Sequence, residues 1–216
     1  MPWPKEVCIQ CSDDVVAWTL VGEMLLTLIA FGGWIASGSA GLLADAFQSL
    51  GVFISMGIIT LGAYIAKKRP NTRFFIGNAD LEVVMALTAF SIMIGFGLFV
   101  VGDSLGSLLN DATPPPSIIG LPFATLSLFL THMIHRYNSC TNNKLAGTSR
   151  KAAVIQVRSD FYASIAVFLG ILITFLLPDI ISFDHMAALF IGVLILKDGI
   201  QNAISNINLL IQNHNR

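Results

Sequence analysis

Four stretches of this chain run the width of a bilayer without a charged residue: Ala46–Ala66, Val83–Gly102, Ala112–Thr131 and Phe161–Pro178. A helix that crosses the hydrocarbon core needs about 20 mostly apolar residues, so each stretch is long enough to span. Two further spans are interrupted by charge. Val15–Ala66 is too long for one helix and fits two, with a turn at Ser37-Gly38-Ser39, so that the first carries Glu23 and the second carries Asp45 near its start. Met186–Ile211 is apolar except for the adjacent Lys197 and Asp198, a pair expected to neutralise each other or their neighbours. The pattern predicts an all-α polytopic membrane protein with six transmembrane helices, at about 15–36, 40–66, 79–108, 116–137, 152–177 and 184–211.

Composition closes off the alternatives. Of 216 residues, 55% are hydrophobic and 12% charged, with a net charge of −1. Soluble domains carry about 25% charged residues, so this chain cannot cover a water-facing surface. Disorder, a collagen-like helix, a coiled coil and nucleic-acid binding through bulk charge are excluded. Three cysteines are too few for a disulfide framework. No nucleophile–base pair, phosphate loop or cofactor motif appears, so no enzyme is predicted.

The cations set the orientation. Lys67, Lys68, Arg69 and Arg73 lie between the second and third helices, and Arg136, Lys144, Arg150, Lys151 and Arg158 lie in or beside the connection between the fourth and fifth. The opposite connections, 36–39, 109–115 and 178–183, carry no Lys or Arg. Both termini are therefore expected on the cytoplasmic side. Residues 1–14 form a cytoplasmic segment bearing Cys8 and Cys11, 15–211 the membrane domain and 212–216 a short tail. The first residues lack the basic region and apolar run of a signal peptide.

Ionisable groups inside a span are costly and usually face a polar interior or a partner. Asp45, Gln48, Ser49 and Val52 recur at i, i+3, i+4 and i+7 and share a helix face, while Gln156 and Asp160 stand at i and i+4. Two such stripes fit hydrogen bonding that holds a bundle together, and they equally fit a metal site shared between two helices.

At these residues the chain resembles a known family. The stretch Ser39-Ala40-Gly41-Leu42-Leu43-Ala44-Asp45-Ala46-Phe47-Gln48-Ser49 resembles the second helix of the cation diffusion facilitators. Arg158-Ser159-Asp160 with Ser164–Gly170 is similar to their fifth, Phe74–Asp80 to the opening of their third, and Phe183–Leu189 to the start of their sixth. Cys8-Ile9-Gln10-Cys11 followed by Val15-Val16-Ala17-Trp18, with His135-Arg136-Tyr137, further resembles the magnetosome-associated members.

The resemblance implies a dimeric carrier that exports zinc, manganese or iron, commonly in exchange for protons, through a tetrahedral site of His and Asp on helices 2 and 5. Position by position, that site maps to Gln48, Val52, Gln156 and Asp160, of which only Asp160 keeps a usual ligand type. Val52 offers no ligand, the two glutamines bring amide oxygens without charge, and no His remains in either pair to titrate near neutral pH. Ile76 and Asp80 replace the His and Glu that usually open helix 3. The remaining groups offer an oxygen-rich set, with Asp45 paired to Asp160 and Gln48 and Gln156 completing it, suited to iron(II) or manganese. The family's cytoplasmic ferredoxin-like domain is read as missing after Ile211, so a homodimer, or a heterodimer with a full-length member, would rest on membrane helices such as the glycine-rich face Gly95, Gly97, Gly102 and Gly106.

Cys8, Cys11, Cys140 and His135 fall on the same predicted side and define a second metal candidate of Cys3His type. No resident cofactor is expected; a divalent cation enters as substrate, and membrane lipid as surroundings. The sequence leaves two functions open: metal transport, with a magnetosome-type compartment as destination, or a non-transporting relative that partners or helps assemble another carrier.

Overall fold

The computed structural model describes residues 15–68, 81–110, 116–141, 148–177 and 182–214. They form six helices: α1 (Val15–Ser37), α2 (Ala40–Lys68), α3 (Leu81–Asn110), α4 (Gly120–Thr141), α5 (Thr148–Leu176) and α6 (Ser182–His214). Among the described residues there is no strand. Five of the helices, α1, α2, α3, α5 and α6, are long and apolar enough to cross a membrane. The protein is an integral, multi-pass membrane protein.

The predicted helices are present with shifted ends. The fourth was expected over 116–137 and instead runs Gly120–Thr141. Its lead-in is a turn, in which the Gly120 and Leu121 amides donate to the Ser117 and Ile118 carbonyls, and the Ser117 amide is tied to the Ser37 carbonyl at 2.9 Å. Pro122 then sits in the first helical turn, where its missing N–H costs nothing. The helix consequently spends its C-terminal half on polar residues such as His132, His135 and Asn138, which is why α4 does not count among the five apolar spans.

Helix α2 occupies the middle of the bundle and is its most buried span. It packs against α1, α3, α5 and α6, while α1–α4, α4–α5, α5–α6 and α6–α3 contacts link the other helices in an arc around it. Helix α3 shows how such a bundle is specified without an outward polar face. Phe90, Met93, Gly97, Val100 and Ser104 are buried, whereas Leu98, Phe99, Leu105 and Leu109 are exposed on the other side. The inward residues are chosen for fit, since lipid is as apolar as the core. A Cβ on Gly97 would come within 3.0 Å of the Leu196 backbone nitrogen and 2.8 Å of its side chain, so this glycine permits the close approach of α3 to α6. That divides the glycine-rich face expected to dimerise: Gly97 is used inside the chain, while a Cβ on Gly95, Gly102 or Gly106 would meet nothing within 4 Å.

The α1–α2 corner is closely specified. Gly38 ends α1 with a φ of 73°, the left-handed conformation that glycine adopts without steric cost, and its amide donates to the Trp34 carbonyl at 2.7 Å. Ser39 caps α2: its hydroxyl accepts from the Leu42 amide at 3.2 Å and donates to Asp184 at 2.7 Å. Asp184, at the start of α6, also accepts from the Ala40 amide at 2.7 Å and the Gly41 amide at 3.2 Å. A carboxylate from a distant part of the chain thus closes the positive end of the central helix.

Candidate functional site

Two adjoining polar groups lie within the apolar bundle. In the first, Gln48 on α2 reaches across to α5 and its Nε2 donates to Asp160 Oδ1 at 2.6 Å. Both side chains are 2% exposed, and the amide oxygen Gln48 Oε1 and the second carboxylate oxygen Asp160 Oδ2 have no hydrogen-bond partner. In the second, Asp45 accepts from Ser127 of α4 at 2.6 Å and from Ser164 of α5 at 3.3 Å. Ser164 also meets the Thr131 hydroxyl at 3.1 Å, and Thr131 donates to the Ser127 carbonyl at 2.8 Å. The spacing along α2 therefore divides its stripe, with Gln48 aimed at Asp160 and Asp45 at hydroxyls.

Glu23 on α1 joins this region. It is 0% exposed, both carboxylate oxygens lack a hydrogen-bond partner, and it stands within electrostatic reach first of Asp160 and then of Asp45. Asp198 on α6 adds to the negative field around Asp160. Among the described residues no three His, Cys, Asp or Glu side chains converge as a metal-ligand cluster.

Val52, the position without a ligand, is 0% exposed and forms a small apolar cluster with Met56 and, from α1, Leu20. Gln156 lies on helix α5, but its side chain is outside the described residues, as is that of Cys140 on α4. Cys8, Cys11, Ile76 and Asp80 also lie outside the described residues. His135 stacks on Phe161 with ring centroids 5.6 Å apart and planes 9° from parallel, and His132 contacts the same ring from 5.5 Å.

The two i, i+4 stripes did not include Glu23, Ser127, Thr131 or Ser164. A lone carboxyl in the middle of α1 was the available signal for Glu23. The hydroxyls have none, because serine and threonine are ordinary in membrane helices.

The chain matches one family description: the cation efflux transmembrane domain covers residues 16–211. The chain belongs to the cation efflux, or cation diffusion facilitator, family of membrane transporters. It is similar to the magnetosome protein MamB of Paramagnetospirillum magneticum, 24% identical over 199 residues that cover 91% of this chain and 66% of that protein. MamB of Magnetospira sp. is 25% identical over 204 residues, covering 93% of this chain and 68% of that protein. The manganese efflux system protein MneS of Bacillus subtilis is 29% identical over 160 residues, covering 74% of this chain and 54% of that protein. The chain thus spans about two thirds of the MamB proteins and about half of MneS.

Proposed function

We propose that the chain moves a divalent metal cation across its membrane through the pocket that Asp160 anchors between α2 and α5. The observation that carries this reading is a carboxylate, 2% exposed inside an apolar bundle, held by Gln48 through one oxygen and unmatched at the other. A buried anion in hydrocarbon calls for a cation or a proton, and its presence in a span is expensive unless used. The donors are oxygens, which suit manganese or iron(II) better than the thiolate and imidazole sets that favour zinc. The kinship with MneS supports manganese as a substrate, and that with MamB supports delivery into a magnetosome-type compartment. Cations concentrated on one side of the predicted topology orient both termini to the cytoplasm. A dimer, with a second copy or with a longer family member, would use exposed helix faces.

Purified chain in liposomes tests the proposal. Manganese, iron(II) or zinc flux above that of empty vesicles is expected, with Asp160→Ala returning it to the empty-vesicle level. Flux equal to empty vesicles for all three metals, or unchanged flux in the variant, overturns it.

One observation favours a second reading. Val52 fills a ligand position with a packed apolar cluster, and Asp45 is already matched by Ser127 and Ser164. A chain with so few free charges in its pocket would act as partner or assembly factor of another carrier. It would then co-purify with that carrier while moving no metal alone.

A further inference from the structure

We infer that Glu23 is a ligand of the transported cation, so that the site is built across three helices, α1, α2 and α5, from oxygen donors only. This rests on the transport reading above and deepens it by naming the third arm and the class of ion.

Four buried oxygens lack any hydrogen-bond partner: Glu23 Oε1, Glu23 Oε2, Gln48 Oε1 and Asp160 Oδ2. They come from three different helices, and Glu23 and Asp160 lie within electrostatic reach. Between them they carry two carboxyl groups and one amide oxygen. Two negative charges balance a dication, and carboxylate and amide oxygens are the donors that manganese(II) and other oxygen-preferring ions take. A carboxyl retained for packing would donate or accept a hydrogen bond in an interior where unmet polar atoms are costly. Glu23 does neither with either oxygen.

No protein cation among the described side chains fills the role. Among the described side chains the Lys and Arg groups are Arg136 and Lys197, and both are exposed. Asp45 is not the missing arm either, because Ser127 and Ser164 already occupy its two oxygens. The position of Glu23 supplies the reason for its recruitment. Leu20, one helical turn before it, packs on Val52 and Met56, so α1 stands directly against the α2 position that has no ligand. Glu23 brings to the pocket, from α1, the charge that Val52 does not provide from α2.

The test uses the full chain purified in detergent, with manganese(II) as the probe and its paramagnetic resonance signal as the measure of bound ion. Wild type is expected to hold manganese at one site per chain. Glu23→Gln should weaken that binding at least tenfold while keeping the elution volume, the helix content and a metal-free melting temperature no lower than wild type. Glu23→Asp, which keeps the charge on a shorter arm, should fall between them, and it decides the question if the glutamine variant does not fold. Wild-type manganese affinity in both Glu23 variants, beside loss in Asp160→Asn, overturns the role of Glu23 and leaves the transport reading standing. A wild-type chain that neither binds manganese nor moves it, iron(II) or zinc in liposomes overturns both.

Discussion

Asp184 and Glu23 are the same kind of group in the same kind of place, carboxyls nearly or wholly buried in an apolar helix bundle, and they are treated in opposite ways. Asp184 has the Ser39 hydroxyl and the Ala40 and Gly41 amides gathered on it. Glu23 has nothing hydrogen-bonded to either oxygen. The first fastens the start of the central helix to α6; the second leaves two carboxyl oxygens unmatched inside the bundle. A buried acid in a membrane span is therefore not a functional signal by itself, and the state of its partners separates a staple from a candidate ligand.

The largest expected effect breaks the staple. Asp184→Ala strands two helix-terminal amides and a hydroxyl, and should cost about 3 kcal/mol, within the range for removing one partner of a buried charge-assisted network. Thermal unfolding in detergent measures it. Glu23→Gln in the same assay should cost nothing, and a loss as large as that of Asp184→Ala would erase the distinction between the two carboxyls. Asp45 belongs with the satisfied class, and Asp45→Ala should destabilise by about 1–3 kcal/mol as Ser127 and Ser164 lose their acceptor. A neutral result there would return Asp45 to the free ligands.

Packing gives the next, smaller contrast. Gly97→Ala should lower stability by about 1–3 kcal/mol, because its methyl would enter the space of Leu196. Gly95→Ala, which points into open space, should stay within about 0.5 kcal/mol. An equal loss at Gly95, appearing only at protein concentrations where the chain self-associates, would identify that face as a dimer contact. The smallest effect belongs to the α1–α4 link, where the Thr19 hydroxyl donates to Asn138 at 3.1 Å. Thr19→Val should cost about 0.6 kcal/mol, the typical size of an interhelical hydrogen bond in a bilayer protein.

The helices themselves were legible, since uncharged stretches of bilayer length leave little choice of fold. The one displaced segment, α4, was misplaced because hydropathy does not distinguish an apolar turn from an apolar helix. Ile118 and Ile119 are as apolar as the first residues of α4, and only the hydrogen bonds around them mark a lead-in. The candidate site was half legible. Helical spacing put Asp45 and Gln48 on one face and singled out Asp160, and the Gln48–Asp160 bond joins the two helices expected to meet. Spacing could not say that Asp45 turns to hydroxyls on α4 and α5, because that depends on which neighbours α2 acquires.

Local chemistry along the chain was enough to determine that this protein lies in a membrane and where the helices of its described residues fall, because burial in hydrocarbon constrains every residue of a span independently. What only the tertiary structure decided is which buried polar atoms find each other. Ser39 and Asp184 are far apart in the chain, as are Gln48 and Asp160, and Glu23 is distant from both residues of the second pair. Whether each acid is matched or left open is a property of the packed bundle, where a few ångströms of helix placement decide which oxygens are bonded and which remain available.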